Sequence, residues 1–115
     1  MIPIKCHLWK KEKLIENDLT ESLVFLKKLP SIENVSESVM VCVDCRQLYI
    51  VEFNDFFASQ IDDYPVYLTY VPVSEAELVE HAKVKKTLGS IQEYSPKLLF
   101  DIKKEGTRIR WIGKR

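Results

Sequence analysis

Two apolar runs separated by four residues restrict the fold of this chain more than anything else in it. They are Val39-Met40-Val41-Cys42-Val43 and Leu48-Tyr49-Ile50-Val51-Glu52-Phe53, with Asp44 to Gln47 between them. β-Branched and aromatic residues dominate both runs, a composition that suits the pleated surface of a strand. A parallel pair would need a crossover of a dozen residues or more, so this connection permits only an antiparallel hairpin, with Cys45 and Arg46 at its tip. In the first run apolar residues face both ways, as in a central strand covered on both sides.

Other elements follow from caps, breakers and periodicity. Ile4 to Trp9 reads as a short strand. Asp18 can cap a helix with Glu21 at its third position, and Leu19, Leu23 and Leu26 recur at helical spacing until Pro30 stops them. Ser31 to Glu37 is polar and reads as a loop, and a second loop runs from Asn54 to Asp63. A third strand is expected over Tyr64 to Val71, with Pro65 at its start and Pro72 closing it. Ser74-Glu75-Ala76-Glu77 is a capping box that opens a helix running to about Leu88, with Gly89 marking its end. The apolar stripe of that helix, Ala76, Val79 and Ala82 with Leu78, is thin, which predicts a peripheral position. Ser95-Pro96 suggests a short helix through Phe100. After a turn at Gly106, Thr107-Arg108-Ile109-Arg110-Trp111 alternates polar and apolar, as a half-buried strand at or near a sheet edge does. The expected architecture is α+β: a mainly antiparallel sheet of about four strands with helices packed on one face.

A length of 115 residues fits one globular domain, expected to span 1–115, and a hydrophobic fraction of 46% is that of a chain that folds. No apolar run approaches the roughly 20 residues that cross a bilayer, and Met1-Ile2-Pro3-Ile4-Lys5 lacks the apolar core of a signal peptide, so the expected compartment is the cytoplasm. Three cysteines, without a repeating framework, fit reduced thiols better than a secreted disulfide scaffold.

Charge is strongly segregated along the chain. From Glu33 to Glu80 there are ten acidic residues and one base, Arg46, a net of −9, whereas residues 1–32 carry +2 and residues 81–115 carry +7. The overall zero therefore conceals a polarised molecule. An acidic face attracts a basic partner, speeds encounter and repels nucleic acid. The alternative is that these acids pair internally with the cationic tail of Lys103, Lys104, Arg108, Arg110, Lys114 and Arg115.

Cys42 and Cys45 form a C-x-x-C pair at the hairpin turn, the spacing at which two thiolates grip one tetrahedral metal ion. This is half of a zinc site, and Cys6 and His7 are the only other ligands of the right type outside the pair. Spacing does not decide whether they reach the hairpin. Redox use would need a thiolate stabilised at a helix N-terminus, which a strand pattern does not supply. His81, four residues after Glu77 on a charged helix, reads as a structural residue on its outer part. No exposed serine motif, phosphate-binding glycine loop or spaced metal triad is present, so neither an enzyme nor an obligatory cofactor is expected.

The segment from Asn54 to Tyr67 combines acids with aromatics. Glu52, Asp55, Phe56, Phe57, Asp62, Asp63, Tyr64 and Tyr67 make a candidate partner-binding surface, since aromatics supply desolvated contact area while acids steer a basic partner and set register. The competing view is that Phe56 and Phe57 pack the loop onto the core.

The run from Val41 to Phe53, followed by Tyr67-Leu68-Thr69-Tyr70-Val71-Pro72-Val73, resembles a group of small bacterial proteins with a C-x-x-C-G-Q-x-Y-x-x-E-F signature and a later Tyr, Thr and Pro-Val. Such proteins look like immunity proteins of polymorphic toxin or contact-dependent growth inhibition systems. Arg46 stands where that signature has Gly. The resemblance covers about a third of the chain and implies no catalytic residues. What it implies is a role: an acidic surface covering the basic active-site cleft of a cognate toxin domain, often a nuclease. The leading expectation is therefore an inhibitor that binds a toxin, with no membrane or nucleic-acid partner. The alternative is a small metal-binding or nucleic-acid-binding module that uses the C-x-x-C hairpin and the basic C-terminal strand.

Overall fold

A computed structural model describes residues 1–32, 35–55, 66–83, 94–103 and 106–113. Nine elements follow in chain order: α1 His7–Lys10, α2 Glu16–Ser22, β1 Leu23–Ile32, β2 Val35–Cys42, β3 Leu48–Asp55, β4 Val66–Val73, α3 Glu75–Lys83, β5 Lys97–Lys103 and β6 Gly106–Ile112. The six strands form one sheet in the order β1-β2-β3-β4-β5-β6, every neighbour antiparallel, so the chain meanders without a crossover. The expected sheet of about four strands with helices on one face is corrected on both counts: the described residues form a six-stranded sheet, and their helices are short and lie against both faces.

The central hairpin forms as the two apolar runs dictate, with Val41 opposite Leu48 and Val39 opposite Ile50. Alternation then builds two cores. Tyr49 and Val51 turn toward one face, where Tyr70, Leu98 and Phe100 meet Cys6, Leu8, Leu14 and Leu19 of the N-terminal segment. Ile50 turns toward the other, where Val39, Val71 and Val73 meet Leu78 of α3. Strand β3 is thus buried on both sides of the pleat.

Three local expectations are corrected. Residues 4–9 are not a strand: Cys6 precedes the single turn of α1, and Leu8 is fully buried. The helix expected to be capped by Asp18 begins earlier, at Glu16, with Asp18 in its third position accepting the Ile15 N–H at 2.8 Å; it ends at Ser22, and the residues expected to continue it form β1. Leu19 and Leu23 are buried as a helical stripe would require, but Leu26 is 53% exposed and its neighbours Val24 and Phe25 are 45% and 63% exposed, so the stripe stops at Leu23, and pairing with β2 decided the conformation beyond it. Pro30 is accommodated because β1 is an edge strand and its ladder is irregular between Leu29 and Ile32. The segment after Ser95-Pro96 is strand β5, because Leu98 and Phe100 alternate into the core and pair with Tyr70 and Leu68.

The third strand runs over Val66–Val73, so Pro72 lies inside it rather than after it. The capping box is formed: the Ser74 backbone N–H donates to Glu77 Oε1 at 2.9 Å, and the Glu77 N–H donates to Ser74 Oγ at 3.1 Å. Of the thin stripe expected on α3 only Leu78 is buried, joined by His81, while Ala76, Val79 and Ala82 face solvent. The C-terminal alternating run forms β6 at the sheet edge, as its pattern predicts. The expected end of the α3 helix at Leu88 and Gly89 lies outside the described residues.

Candidate functional site

The N-terminal segment crosses the end of the β2–β3 hairpin, and there the sequence-distant ligands meet. Cys6, His7 and Cys42 each offer a donor atom, and these atoms lie within 4.8 Å of one another. Cys6 and Cys42 are fully buried, and Cys45 is half-buried against the same cluster. Neighbouring residues would diverge on a strand, but Cys6 and His7 sit at the start of a helical turn, where consecutive side chains are about 100° apart and can share a pocket.

Each ligand is held by its surroundings. Tyr49 Oη donates to Cys6 Sγ at 3.1 Å. Burial pushes the Cys6 thiol up to about 12, against the lowering effect of that hydrogen bond. Burial also raises the Tyr49 hydroxyl, and the cysteine beside it reinforces the shift. His7 Nε2 lies 2.7 Å from Ser22 Oγ, and its Nδ1 lies 3.5 Å from Asp44 Oδ2. The hairpin tip is closed by the Arg46 N–H donating to the Cys42 carbonyl at 2.8 Å and the Cys42 N–H donating to the Gln47 carbonyl at 2.9 Å. This closure places Arg46 at φ 67°, the left-handed region that a glycine would occupy without strain.

The opposite face carries a polar row at its centre. Glu37 pairs in register with Glu52, and Glu52 with Thr69; all three are less than 5% exposed. His81 of α3 reaches this row, with Nε2 2.9 Å from Glu37 Oε1 and Nδ1 3.0 Å from Tyr94 Oη. A carboxylate only accepts, so in the neutral ring Nε2 carries the proton and Nδ1 accepts from the tyrosine. His81 therefore points inward and is not on the outer part of the helix. Farther along, Arg110 donates to Asp101 Oδ2 at 2.8 Å.

Beside α3 lies a cleft of about 560 Å³ walled by Val71, Val73 and Ala76 and rimmed by Glu77, Glu80 and Tyr94. Of the acids in the middle third, Glu75, Glu77 and Glu80 are exposed on α3 and Asp44 at the hairpin tip, whereas Glu37 and Glu52 are interior. Among the described residues, Glu77 pairs with the amino terminus and Glu80 with Lys83 of its own helix, while the Asp44 carboxylate lies 3.5 Å from the His7 ring.

The surface expected over residues 52–67 is not brought together as one. Glu52 is 1% exposed and lies in the polar row, Tyr67 is half-buried, Asp55 ends β3, and Phe56, Phe57, Asp62, Asp63 and Tyr64 lie outside the described residues. What spacing could not reveal was the approach of Cys6 and His7 to Cys42. The interior place of Glu37 and Glu52 did have a signal, because each shares its parity along the strand with apolar residues, Val39 in one case and Leu48 and Ile50 in the other. Among the described residues no helix is long and apolar enough to cross a membrane. Compared with family models, curated proteins and solved structures, the chain matches none.

Proposed function

We propose that this chain is a binding protein that captures a basic protein domain and blocks it, as an immunity protein does its cognate toxin. The observation that carries the reading is the cleft beside α3, where exposed apolar atoms of Met1, Ala76 and Tyr94 lie next to Glu77 and Glu80. Apolar area with carboxylates at its margin suits a cationic protein surface: burial supplies affinity, and the acids steer the encounter. The charge map supports the same reading, since among the described residues the ion pairs of the exposed acids of α3 are with the amino terminus and with Lys83. Asp55, Asp62 and Asp63 extend the acidic surface in sequence; Glu52, being interior, supports the sheet and makes no contact with a partner.

The test is association with a toxin domain encoded beside this chain. Replacing Glu75 and Glu80 with Lys, or Asp55, Asp62 and Asp63 with Asn, should slow association several-fold and flatten its dependence on salt, with smaller changes in dissociation. Unchanged on-rates in both variants would remove the acidic surface from the binding reaction. Failure of the chain to protect cells that express any neighbouring toxin domain would remove the immunity role itself.

A further inference from the structure

We infer that Cys6, His7, Cys42 and Cys45 form a tetrahedral site for a thiolate-preferring divalent ion, zinc in the cell, that clamps the N-terminal segment onto the β2–β3 hairpin. The inference does not depend on the binding role proposed above. Three donors already converge within 4.8 Å of one another, and Cys45, three residues after Cys42 on the same turn, is half-buried against the cluster that contains Cys6 and Cys42. Bonds of about 2.3 Å to sulfur and 2.0 Å to nitrogen imply donor separations of about 3.5–3.8 Å in a tetrahedron, so the donors need to close by about an ångström. The C-x-x-C turn contributes two ligands from one hairpin, and Cys6 with His7 contributes two from one helical turn. Three sulfurs and one imidazole select zinc over harder cations such as magnesium or calcium.

His7 and Cys6 are themselves held by neighbouring side chains. With His7 Nε2 held by Ser22 Oγ at 2.7 Å, Nδ1 is the nitrogen that binds, exchanging its 3.5 Å contact with the exposed Asp44 carboxylate for the ion, and a ligating histidine anchored through its other nitrogen is the usual arrangement. Tyr49 Oη, donating to Cys6 Sγ, stabilises negative charge on that sulfur. Four protein ligands, two of them fully buried, leave no open position for a substrate, which makes the site structural. Binding replaces three thiol protons, which leave to solvent, with one ion.

The experiment uses full-length protein purified without chelator in the presence of a reductant. Mass spectrometry of the metals should find about one zinc per chain. Removing it and titrating cobalt(II) alone into the reduced protein should give thiolate-to-cobalt charge transfer together with the intense visible bands of a tetrahedral site. Chelator should lower the midpoint of thermal unfolding of the wild type. The half-buried position of Cys45 makes Cys45→Ser the mildest variant, and it should release zinc to a chelator at least tenfold faster, as should His7→Asn. Should these variants fail to fold, the cobalt spectrum of the wild type still decides the matter. Substoichiometric zinc with no cobalt spectrum, or equal metal retention by wild type and both variants, would each overturn the inference.

Discussion

Arg46 holds a backbone conformation that its side chain opposes. At φ 67° its Cβ crowds the following carbonyl, while the hairpin needs this geometry to bring the Arg46 N–H to the Cys42 carbonyl. Replacing it with Gly should therefore stabilise the fold, by about 0.5–1 kcal/mol after allowing for the greater freedom of glycine in the unfolded chain. A raised urea midpoint with an unchanged slope would report this, and an unchanged or lowered midpoint would mean that the arginine side chain makes a compensating contact. His81 illustrates the opposite situation, a polar side chain required by its burial. It is 4% exposed and hydrogen-bonds Glu37, itself 4% exposed, so removing it strips a buried carboxylate of a donor. His81→Ala should destabilise by about 2–3 kcal/mol, with α3 loosening first. A loss near that of an exposed alanine substitution would show that the pair contributes little.

The elements legible in the sequence are those whose local chemistry and tertiary environment agree. The β2–β3 hairpin, the Ser74 capping box and the alternating β6 strand are of this kind, since short-range rules dictate each. Strand β1 is not legible, because its leucines mimic a helical period while its pairing to β2 is a long-range fact. The candidate metal site divides in the same way: the hairpin half is written in the Cys42–Cys45 spacing, whereas the Cys6–His7 half depends on how the N-terminal segment lies across the sheet. At the start of α3 the capping chemistry has a pH signature. The Ser74 backbone amide, helped by the amino terminus, holds the Glu77 carboxyl below the usual carboxylate range of about 4.3. A carboxyl whose pKa is depressed by folding contributes stability that is present above its unfolded value and is lost as pH falls through its folded value. The stability difference between wild type and Glu77→Gln should therefore hold at neutral pH and shrink as the solution is acidified below about 4. A difference that grows on acidification would contradict the assignment. Ser74→Ala, which removes the hydroxyl acceptor, should cost about 1 kcal/mol at any pH where the helix forms.

Because the sheet is an unbroken meander, segregation along the sequence becomes segregation in space. The acidic middle third supplies β2, β3, β4 and α3, and the cationic flanking segments supply the two edges, Lys27 and Lys28 on β1 and Arg108 and Arg110 on β6. Both edges thus carry the same sign, and strands that meet edge to edge repel. The protection matters most at β1, where Val24, Phe25 and Leu26 lie exposed beside an unpaired ladder, an arrangement that invites pairing with a second copy. Its defences are the register shift between Phe25 and Lys27, Pro30, and the two exposed lysines. Replacing Lys27 and Lys28 together with Thr removes the charge and raises β-propensity without touching either core. That variant should keep the wild-type far-ultraviolet spectrum and yet associate with rising concentration, read by light scattering coupled to size exclusion. Added salt should promote association of the wild type in the same direction by screening the edge charges. If the double variant elutes as the wild type does at every concentration, the register shift and the proline suffice to guard the edge, and the lysines of β1 are free to serve another purpose.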